Sequence, residues 1–474
     1  MRPEQFAVPA RSQGAGAFVA VLVLALVAAT LPYGRVAAVW ASPVAEAVVA
    51  GCVLVAFAAA LWRGMPVVLV APALAAALAL LVAGDEATTW FETRFAAPVG
   101  RFVTEFLVLF VLGAIFGRAM DESGCAGALA AAVSRRTTRA QAPLAVAGLC
   151  AILTLGGVGV FVIAFSVFPI ARRIYARERL PIGLAPAAIA LGAFTATMTA
   201  VPGAPSLTNI VAARALGTDA FAAPVPGLLA ALVMAVFGGW WLARVAARAP
   251  LAESGEAERA GRCPLAHLAT LPPAVALATN AGLTWAFGAG ALAAPAGAMG
   301  PAFYAVVCAL LVGIAVALAL GERARARTTL ESGAVAAVGP LLGTAAGVGF
   351  GASLAALPST ATLVDALAEA TDGDTAVFAA GVAMLYAGLI GSSSGGLLLA
   401  FEGETGAMLA EAAAPEAAHR FASLGAGVID TLPHSGAVIA LLAVCGAHHA
   451  GAYRDIFVVT VIGPALALGV ALAL

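Results

Sequence analysis

The sequence predicts an all-α polytopic membrane protein that contains an internal inverted repeat. Hydrophobic residues make up 62% of the 474 residues and charged residues only 10%. The mean hydropathy is +1.02, a value far from that of soluble domains, which are roughly half apolar and a quarter charged. The apolar runs are roughly 17 to 30 residues long, enough to cross a hydrocarbon core as helices. Two short polar stretches interrupt such runs, one in each half of the chain.

The two interruptions have similar compositions. Residues 201–209 read VPGAPSLTN, and residues 430–436 read DTLPHSG. Proline and glycine break helices and free backbone groups, and inside a bilayer such breaks survive only where they line a cavity or bind something. A matched pair of breaks in the two halves is typical of secondary transporters built from inverted repeats. The fold class is therefore predicted to be an inverted-repeat secondary transporter.

Arginines predict the topology, because the chain has no lysine and all 24 positive charges are arginine. The arginines around residues 244–262 and 323–327 mark two loops that we place in the cytoplasm. The N-terminus is then cytoplasmic, the C-terminus is periplasmic or extracellular, and residues 1–43 hold an extra, uncleaved N-terminal transmembrane helix. About 11 transmembrane helices are predicted near residues 16–32, 44–62, 64–84, 103–119, 183–212, 224–244, 264–288, 303–321, 333–357, 417–445 and 456–474.

Two further apolar segments are predicted to be re-entrant hairpins. Arginines flank residues 141–170 on both sides, and GGVG at 156–159 breaks the middle of that segment. Acidic residues flank residues 377–400, which contain GSSSGG at 391–396. A long apolar segment with a glycine break and both ends on one face of the membrane enters and leaves on the same side.

These assignments divide the chain into a first inverted repeat at 44–244, a cytoplasmic linker at 245–263 and a second inverted repeat at 264–474. Each repeat has one hairpin and one broken helix, at 183–212 and 417–445. Gly117 and Gly351 are 234 residues apart, and Pro202 and Pro433 are 231 residues apart.

Five arginines are predicted to lie outside the cytoplasm: Arg35, Arg94, Arg101, Arg214 and Arg420.

Several strings resemble one known family. These are FVLGAIFGRAMDESG at 110–124, AFSVFPI at 164–170, ATMTAVPG at 196–203, DTLPHSGAV at 430–438 and YRDIF at 453–457. From about residue 44 to the C-terminus the chain resembles the gluconate:proton symporter (GntP) family of the ion transporter superfamily, and within it the D-β-hydroxybutyrate permeases. The resemblance implies proton-coupled symport of a small hydroxycarboxylate across the bacterial inner membrane.

A carboxylate held inside a membrane needs donors that replace water, and helix N-termini at hairpin tips and breaks supply them. The candidate substrate-binding residues share small or hydroxylated side chains or lie at the breaks. They are Gly156, Gly157, Pro202, Gly203, Ser206, Thr208, Asn209, Ser392, Ser393, Ser394, Gly395, Thr431 and Ser435. The alternative for small residues is tight helix packing, which we favour for Gly113 and Gly117. The alternative for the threonines at 195, 197 and 199 is a hydrogen bond to a preceding carbonyl of their own helix.

Proton coupling needs a group whose charge changes during the cycle. Asp430 and His434 are four residues apart and would share a helix face if the break between them were mild. Alternatively, Asp430 caps the broken helix and His434 binds a carbonyl. Glu46 lies near a span end, where its carboxylate is expected to reach the interface. His449 is predicted to be a solvated loop residue.

Other functions stay open at this point. Sodium coupling would use unwound carbonyls with Asn209 and Ser435. An intramembrane enzyme is disfavoured because the chain contains no HExxH and because the other histidines within predicted spans, His267 and His419, fall at span ends. A channel is a third possibility. Neither cofactor nor metal is expected, and a net charge of −1 gives no argument for nucleic acid. The expected partners are the lipid bilayer, a small organic anion, a coupling ion and, because such transporters often dimerise, a second copy of the chain.

Overall fold

The structure is a computed structural model that describes residues 43–155, 158–252, 266–293, 300–401, 403–410 and 414–473. Most of these residues are helical, and they contain no strand. The predicted N-terminal helix, most of the cytoplasmic linker, and Gly156 and Gly157 lie outside the described residues. Six helical stretches within the described ranges are long and apolar enough to cross a membrane, and five shorter apolar helices accompany them. The protein is therefore an all-α polytopic membrane protein, as the composition predicted.

The first half contains eleven described helices. They are α1 (Pro43–Trp62), α2 (Val67–Ala83), α3 (Ala87–Phe91), α4 (Ala97–Glu122), α5 (Cys125–Ser134), α6 (Ala142–Leu155), α7 (Val160–Arg177), α8 (Ala185–Ala193), α9 (Ala196–Thr199), α10 (Leu207–Leu216) and α11 (Pro224–Arg248). Short 3₁₀ turns occupy Gly84–Glu86 and Ile182–Leu184, and a π-turn occupies Glu92–Ala96.

The second half contains twelve more. They are α12 (Ala266–Ala269), α13 (Leu271–Gly288), α14 (Gly300–Leu320), α15 (Ala326–Ala355), α16 (Pro358–Ala370), α17 (Thr375–Ile390), α18 (Ser393–Ala400), α19 (Gly403–Ala410), α20 (Pro415–Ala426), α21 (Gly436–Cys445), α22 (His449–Phe457) and α23 (Gly463–Leu472). A 3₁₀ turn at Arg323–Arg325 precedes α15, and a π-turn at Val458–Ile462 joins α22 to α23.

The predicted spans 64–84 and 103–119 are not separated by a loop. Val67–Glu122 forms one helical run of 56 residues, in which the 3₁₀ turn and the π-turn absorb the change of direction. Pro98 does not stop this run, because it lies in the first turn of α4, where its missing N–H is tolerated. Sequence patterning therefore located the apolar segments but missed the helical connection between them.

The first apolar hairpin segment is longer than its predicted bounds of 141–170. Its second arm, α7, continues to Arg177, because Ala171, Ile174 and Tyr175 are buried in the main apolar cluster. At the end of this arm, Arg173 binds Asp121 of α4, with Nη2 and Oδ1 2.7 Å apart. The arm is thus fixed to α4 beyond its apolar part.

Glycines set the closest helix crossings. A Cβ at Gly333 would lie 2.7 Å from Cα of Ile115, where α15 crosses α4. A Cβ at Gly117 would overlap the Phe165 carbonyl of α7, and one at Gly351 would overlap the Ile390 carbonyl of α17. Small residues therefore let α4 and α15 approach each other closely. They also let α4 approach α7 and α15 approach α17, and such close approach at small residues is how helices associate in lipid.

Candidate functional site

The second broken segment lies between α20 and α21. Helix α20 ends at Ala426 and α21 begins at Gly436, so residues 427–435 contain no helix. Pro433 cannot donate a backbone hydrogen bond, and a turn closed by the bond from Ser435 N–H to the Leu432 carbonyl, at 2.8 Å, encloses it. Although the segment is irregular, Thr431, His434 and Ser435 are each at most 1% exposed. Asp430 and His434 therefore do not share a helix face.

The turn between α17 and α18, which we call the serine tip (residues 391–395), packs directly on this segment. Ser435 Oγ donates to the Gly391 carbonyl at 2.9 Å, and His434 Nε2 lies 3.1 Å from the Leu389 carbonyl. The Asp430 carboxyl lies next to the side chain and backbone of Ser393. Gly391 has a φ of +70°, and a Cβ there would lie 2.8 Å from Ser435 Cα. A larger residue would therefore separate the tip from the segment.

Helix α22 and the π-turn hold the other side of the segment. The Tyr453 hydroxyl donates to the Thr431 carbonyl at 3.0 Å, and Thr431 Oγ1 donates to Thr460 Oγ1 at 2.8 Å. His449 Nε2 lies 2.9 Å from the Pro433 carbonyl, and His449 is 7% exposed. The expectation of a solvated His449 is wrong, because the carbonyls freed by the break need donors and this imidazole reaches one.

Two buried polar atoms at this junction lack partners within the described part of the chain. They are Oδ1 of Asp430 and Nδ1 of His434. The two rings of Phe57 and Phe350 face the His434 ring edge-on, at centroid distances of 6.4 Å and 6.2 Å. A buried polar atom without a partner costs free energy unless it serves a further purpose. The junction therefore combines two ionisable groups with unused hydrogen-bonding capacity.

The remaining residues of the serine tip satisfy each other. Ser392 Oγ caps α18 by accepting from the Gly395 backbone N–H at 3.3 Å, and it lies 3.4 Å from Ser394 Oγ. Ser392, Ser394 and Gly395 are half-buried, whereas Ser393 is buried. The tip thus has one serine turned to Asp430 and two that stabilise its own turn.

The first broken segment lies between α8 and α10. Gly203 there has a φ of +74°, and Ser206 caps α10 by accepting from the Asn209 backbone N–H at 3.3 Å. Thr208 Oγ1 donates to the Met198 carbonyl. Thr195, which follows α8, donates to the Leu191 carbonyl of that helix at 2.6 Å, a local bond of the kind expected for such threonines. Pro202 is half-buried beside Gly203. The hydroxyls of this segment are therefore bonded within the protein.

Asn209 joins the first broken segment to α20. Its amide nitrogen donates to the Ala204 carbonyl at 2.9 Å. Its Oδ1 lies 3.1 Å from Arg420 Nη1 and 3.3 Å from His419 Nε2. His419 in turn lies 2.7 Å from the Thr218 hydroxyl through Nδ1. Asn209 thus connects two helices that are about 210 residues apart in sequence.

Arg420 is the residue that sequence reasoning missed. The topology predicts it on the non-cytoplasmic side, at the start of the span 417–445, yet its side chain is fully buried. The guanidinium donates to the carbonyls of Ala222 at 2.9 Å and Ala220 at 3.2 Å, and also to those of Thr199 and Ala200. No acidic side chain of the described residues pairs with it. The sequence contained a signal for this residue, since a neighbouring histidine and arginine inside a predicted apolar span are unusual.

The two broken segments and the second hairpin come together. A Cβ at Gly427 would lie 2.6 Å from the Thr199 side chain, so the segments touch there. Helix α10 packs against both α18 and α20, and α7 packs against α21. Two cavities of about 400 and 300 Å³ lie elsewhere in the described part of the chain. In this conformation the broken segments and the serine tip pack against one another.

Glu46 also departs from expectation. Its carboxylate does not reach the membrane interface but is 8% exposed and accepts from the Ser359 backbone N–H at 2.6 Å. This bond satisfies a free N–H in the first turn of α16, where a negative charge is favourable. Glu46 therefore fixes α1 to α16.

Comparison with known proteins shows the protein family to which the chain belongs. The chain is 33% identical over 451 residues to a Bacillus subtilis (strain 168) protein described as the uncharacterized transporter YxjC, an alignment covering 86% of this chain and 94% of that protein. The chain belongs to this transporter family. No family model matches it. Membership of the family agrees with the polytopic fold and with the broken helices that meet inside it.

Proposed function

We propose that the chain is a secondary transporter of the GntP type, which carries a small hydroxycarboxylate across the bacterial inner membrane together with a proton. The observation that carries the proposal is the junction of the serine tip with the second broken segment. There a buried carboxyl, Asp430, contacts Ser393 and retains one oxygen without a partner among the described residues. The inverted repeat, the topology derived from arginine and a homodimer belong to the same proposal.

The charge of Arg420 supports an anionic substrate. A buried guanidinium is normally paired with an acid, because burying an isolated charge is costly. Arg420 is compensated only by carbonyl dipoles and the Asn209 amide among the described residues. The two broken segments meet beside this charge, and a carboxylate that entered there would restore neutrality. The N-termini of α10, α18 and α21 add the positive ends of three helix dipoles.

Asp430 supports proton coupling. A carboxyl that binds Ser393 as a carboxylate accepts hydrogen bonds, whereas a protonated carboxyl also donates one. Protonation therefore changes the contact between the broken segment and the serine tip. Movement of the tip and protonation of Asp430 are coupled in this way, as a symporter requires, because each state of the carboxyl favours a different arrangement.

The test is uptake into proteoliposomes. Radiolabelled 3-hydroxybutyrate and gluconate are offered under an imposed pH gradient, then under a sodium gradient at equal pH. We expect accumulation above the outside concentration under the pH gradient alone. Accumulation driven only by the sodium gradient would show that sodium, and not a proton, is the coupling ion. Saturable accumulation above the outside concentration would exclude a channel, and equilibration without accumulation would contradict symport.

Asp430→Asn tests the proton carrier. The variant should lose accumulation driven by the pH gradient but retain exchange of labelled for unlabelled substrate, because exchange needs no net proton movement. Asp365→Asn is the matched control, since Asp365 is exposed on α16. Normal proton-driven accumulation by Asp430→Asn would remove Asp430 from the mechanism.

A further inference from the structure

A basic cavity lies away from the broken segments, at the C-terminal end of α11. Its volume is about 400 Å³, and Trp241, Arg244, Arg248, Gly451 and Arg454 line it together with the turn before α8. Arg244 and Arg248 are four residues apart and therefore lie on one face of α11. The cavity thus brings three guanidinium groups from two helices to one space.

The charges around this cavity do not cancel within the described part of the chain. Arg244 and Arg248 form no ion pair there. None of the described residues that line the cavity is acidic. Asp455 lies beside it, with Oδ1 3.5 Å from Arg454 Nη2, and accepts from Trp241 Nε1 at 3.1 Å. Three guanidinium groups therefore line the cavity, which suits an anion.

Hydrogen bonds from another arginine hold the rim of the cavity. Arg139, which precedes α6, donates through Nη2 to the carbonyls of Ala249 and Pro250, both at 2.9 Å. Ala249 and Pro250 line the cavity. A fourth arginine therefore holds the wall in place, and its own charge adds to the positive potential there.

The position along α11 indicates where an anion comes from. The exposed side chains of Leu232, Val236 and Trp240 form an apolar stripe on this helix. The Arg244 guanidinium lies 5.5 Å from the centre of the Trp240 ring. Tryptophan and arginine at the end of an apolar stripe mark the boundary between hydrocarbon and head groups. The cavity therefore opens at the depth of lipid phosphates.

We propose that this cavity binds the phosphate head group of an anionic phospholipid. Arginine recognises phosphate oxygens through paired hydrogen bonds, and basic pockets between helices on the arginine-rich side of a membrane bind anionic lipid head groups. The acyl chains then follow the apolar stripe of α11. The site is independent of the substrate and of the coupling ion.

The test uses the purified full chain in detergent, titrated with phosphatidylglycerol or phosphatidylcholine and followed by native mass spectrometry. We expect tighter binding of phosphatidylglycerol to the wild type. The double variant Arg244→Gln, Arg248→Gln should bind it about 30-fold more weakly, since each arginine near a lipid surface contributes about a factor of five. Arg135→Gln, Arg136→Gln is the matched control, because both residues are exposed, and it should change affinity less than twofold.

Three outcomes would overturn the proposal. They are equal affinity of the wild type for the two lipids, an unchanged affinity in the double variant, and an equal loss in the control pair. Displacement of the lipid by millimolar inorganic phosphate would assign the cavity to a soluble phosphate compound and overturn the lipid assignment. If the double variant does not fold, Arg454→Gln replaces it, with an expected loss of about fivefold, and no loss there would also overturn the proposal.

Discussion

Replacing Arg420 by methionine separates the structural role of this residue from its electrostatic role. Methionine keeps a long apolar stem but removes the charge and all five donors of the guanidinium. In the wild type, Nε and Nη2 both donate to the Ala222 carbonyl, at 3.0 Å and 2.9 Å. The Ala220 carbonyl also accepts from the Gly203 backbone N–H at 2.8 Å, so it keeps a partner after the substitution. Asn209 Oδ1 likewise keeps His419.

The expected loss of stability follows from these contacts. The Ala222 carbonyl loses both bonds from Arg420, and leaving a buried acceptor unsatisfied costs about 1–3 kcal/mol. Removing the buried guanidinium also removes its desolvation cost, which offsets part of the lost hydrogen bonding. We therefore expect Arg420→Met to lower the free energy of unfolding by about 1–3 kcal/mol, so the variant still folds.

The expected loss of uptake is larger than instability explains. Without the charge, the site loses its attraction for a carboxylate, and a loss of only about 1.4 kcal/mol in binding lowers affinity tenfold. We expect at least about a tenfold loss of substrate affinity, measured in proteoliposomes below the unfolding temperature. Tryptophan fluorescence during thermal unfolding in detergent measures stability. Arg214→Met is the control, because Arg214 is exposed on α10.

Two results would refute this reasoning. Normal affinity with lowered stability would show that Arg420 only connects the first broken segment to α20. Normal stability of Arg420→Met would show that the carbonyls before α11, above all that of Ala222, find other donors. Arg420→Lys adds a further check, since it keeps the charge but not the planar fork, and it should retain more affinity than Arg420→Met.

Three other predictions test the packing around the site. Glu46→Ala should lower stability by about 0.5–2 kcal/mol, the usual effect of losing a capping side chain, and an unchanged thermal unfolding midpoint would show that the bond to Ser359 contributes nothing. Gly425→Ala should prevent normal folding, because a Cβ there would overlap the Ala380 carbonyl of α17. Gly282→Ala on α13 meets nothing within 4 Å and should fold normally; equal expression of both would contradict the crossing geometry. Tyr453→Phe removes the donor to the Thr431 carbonyl and should cost about 1 kcal/mol, with no change in unfolding indicating that another donor replaces it.

Composition and local chemistry predicted the class of this protein well. Length, hydropathy and charge identified a polytopic helical membrane protein, because a run of about 20 apolar residues has few stable environments other than a bilayer. Proline and glycine predicted the helix breaks at residues 201–209 and 430–436, because both residue types act on the backbone of their own segment. The small residues at Gly113 and Gly117 were correctly interpreted as packing positions, for a Cβ at either would meet α7.

The sequence by itself thus determined the features that depend on residues close together along the chain: the membrane environment, the apolar segments and the helix-breaking residues. It also determined the membership of a transporter family, through its similarity to a relative. Only the tertiary structure decided which polar groups meet. Arg420, His449 and Glu46 were all assigned to water or to the interface, because a charged side chain is usually solvated there. Each is buried, since its hydrogen-bond partner lies in another segment of the fold: the loop before α11 for Arg420, the second broken segment for His449 and α16 for Glu46. The free energy of burying a charge depends on those partners, and their proximity exists only in the folded chain.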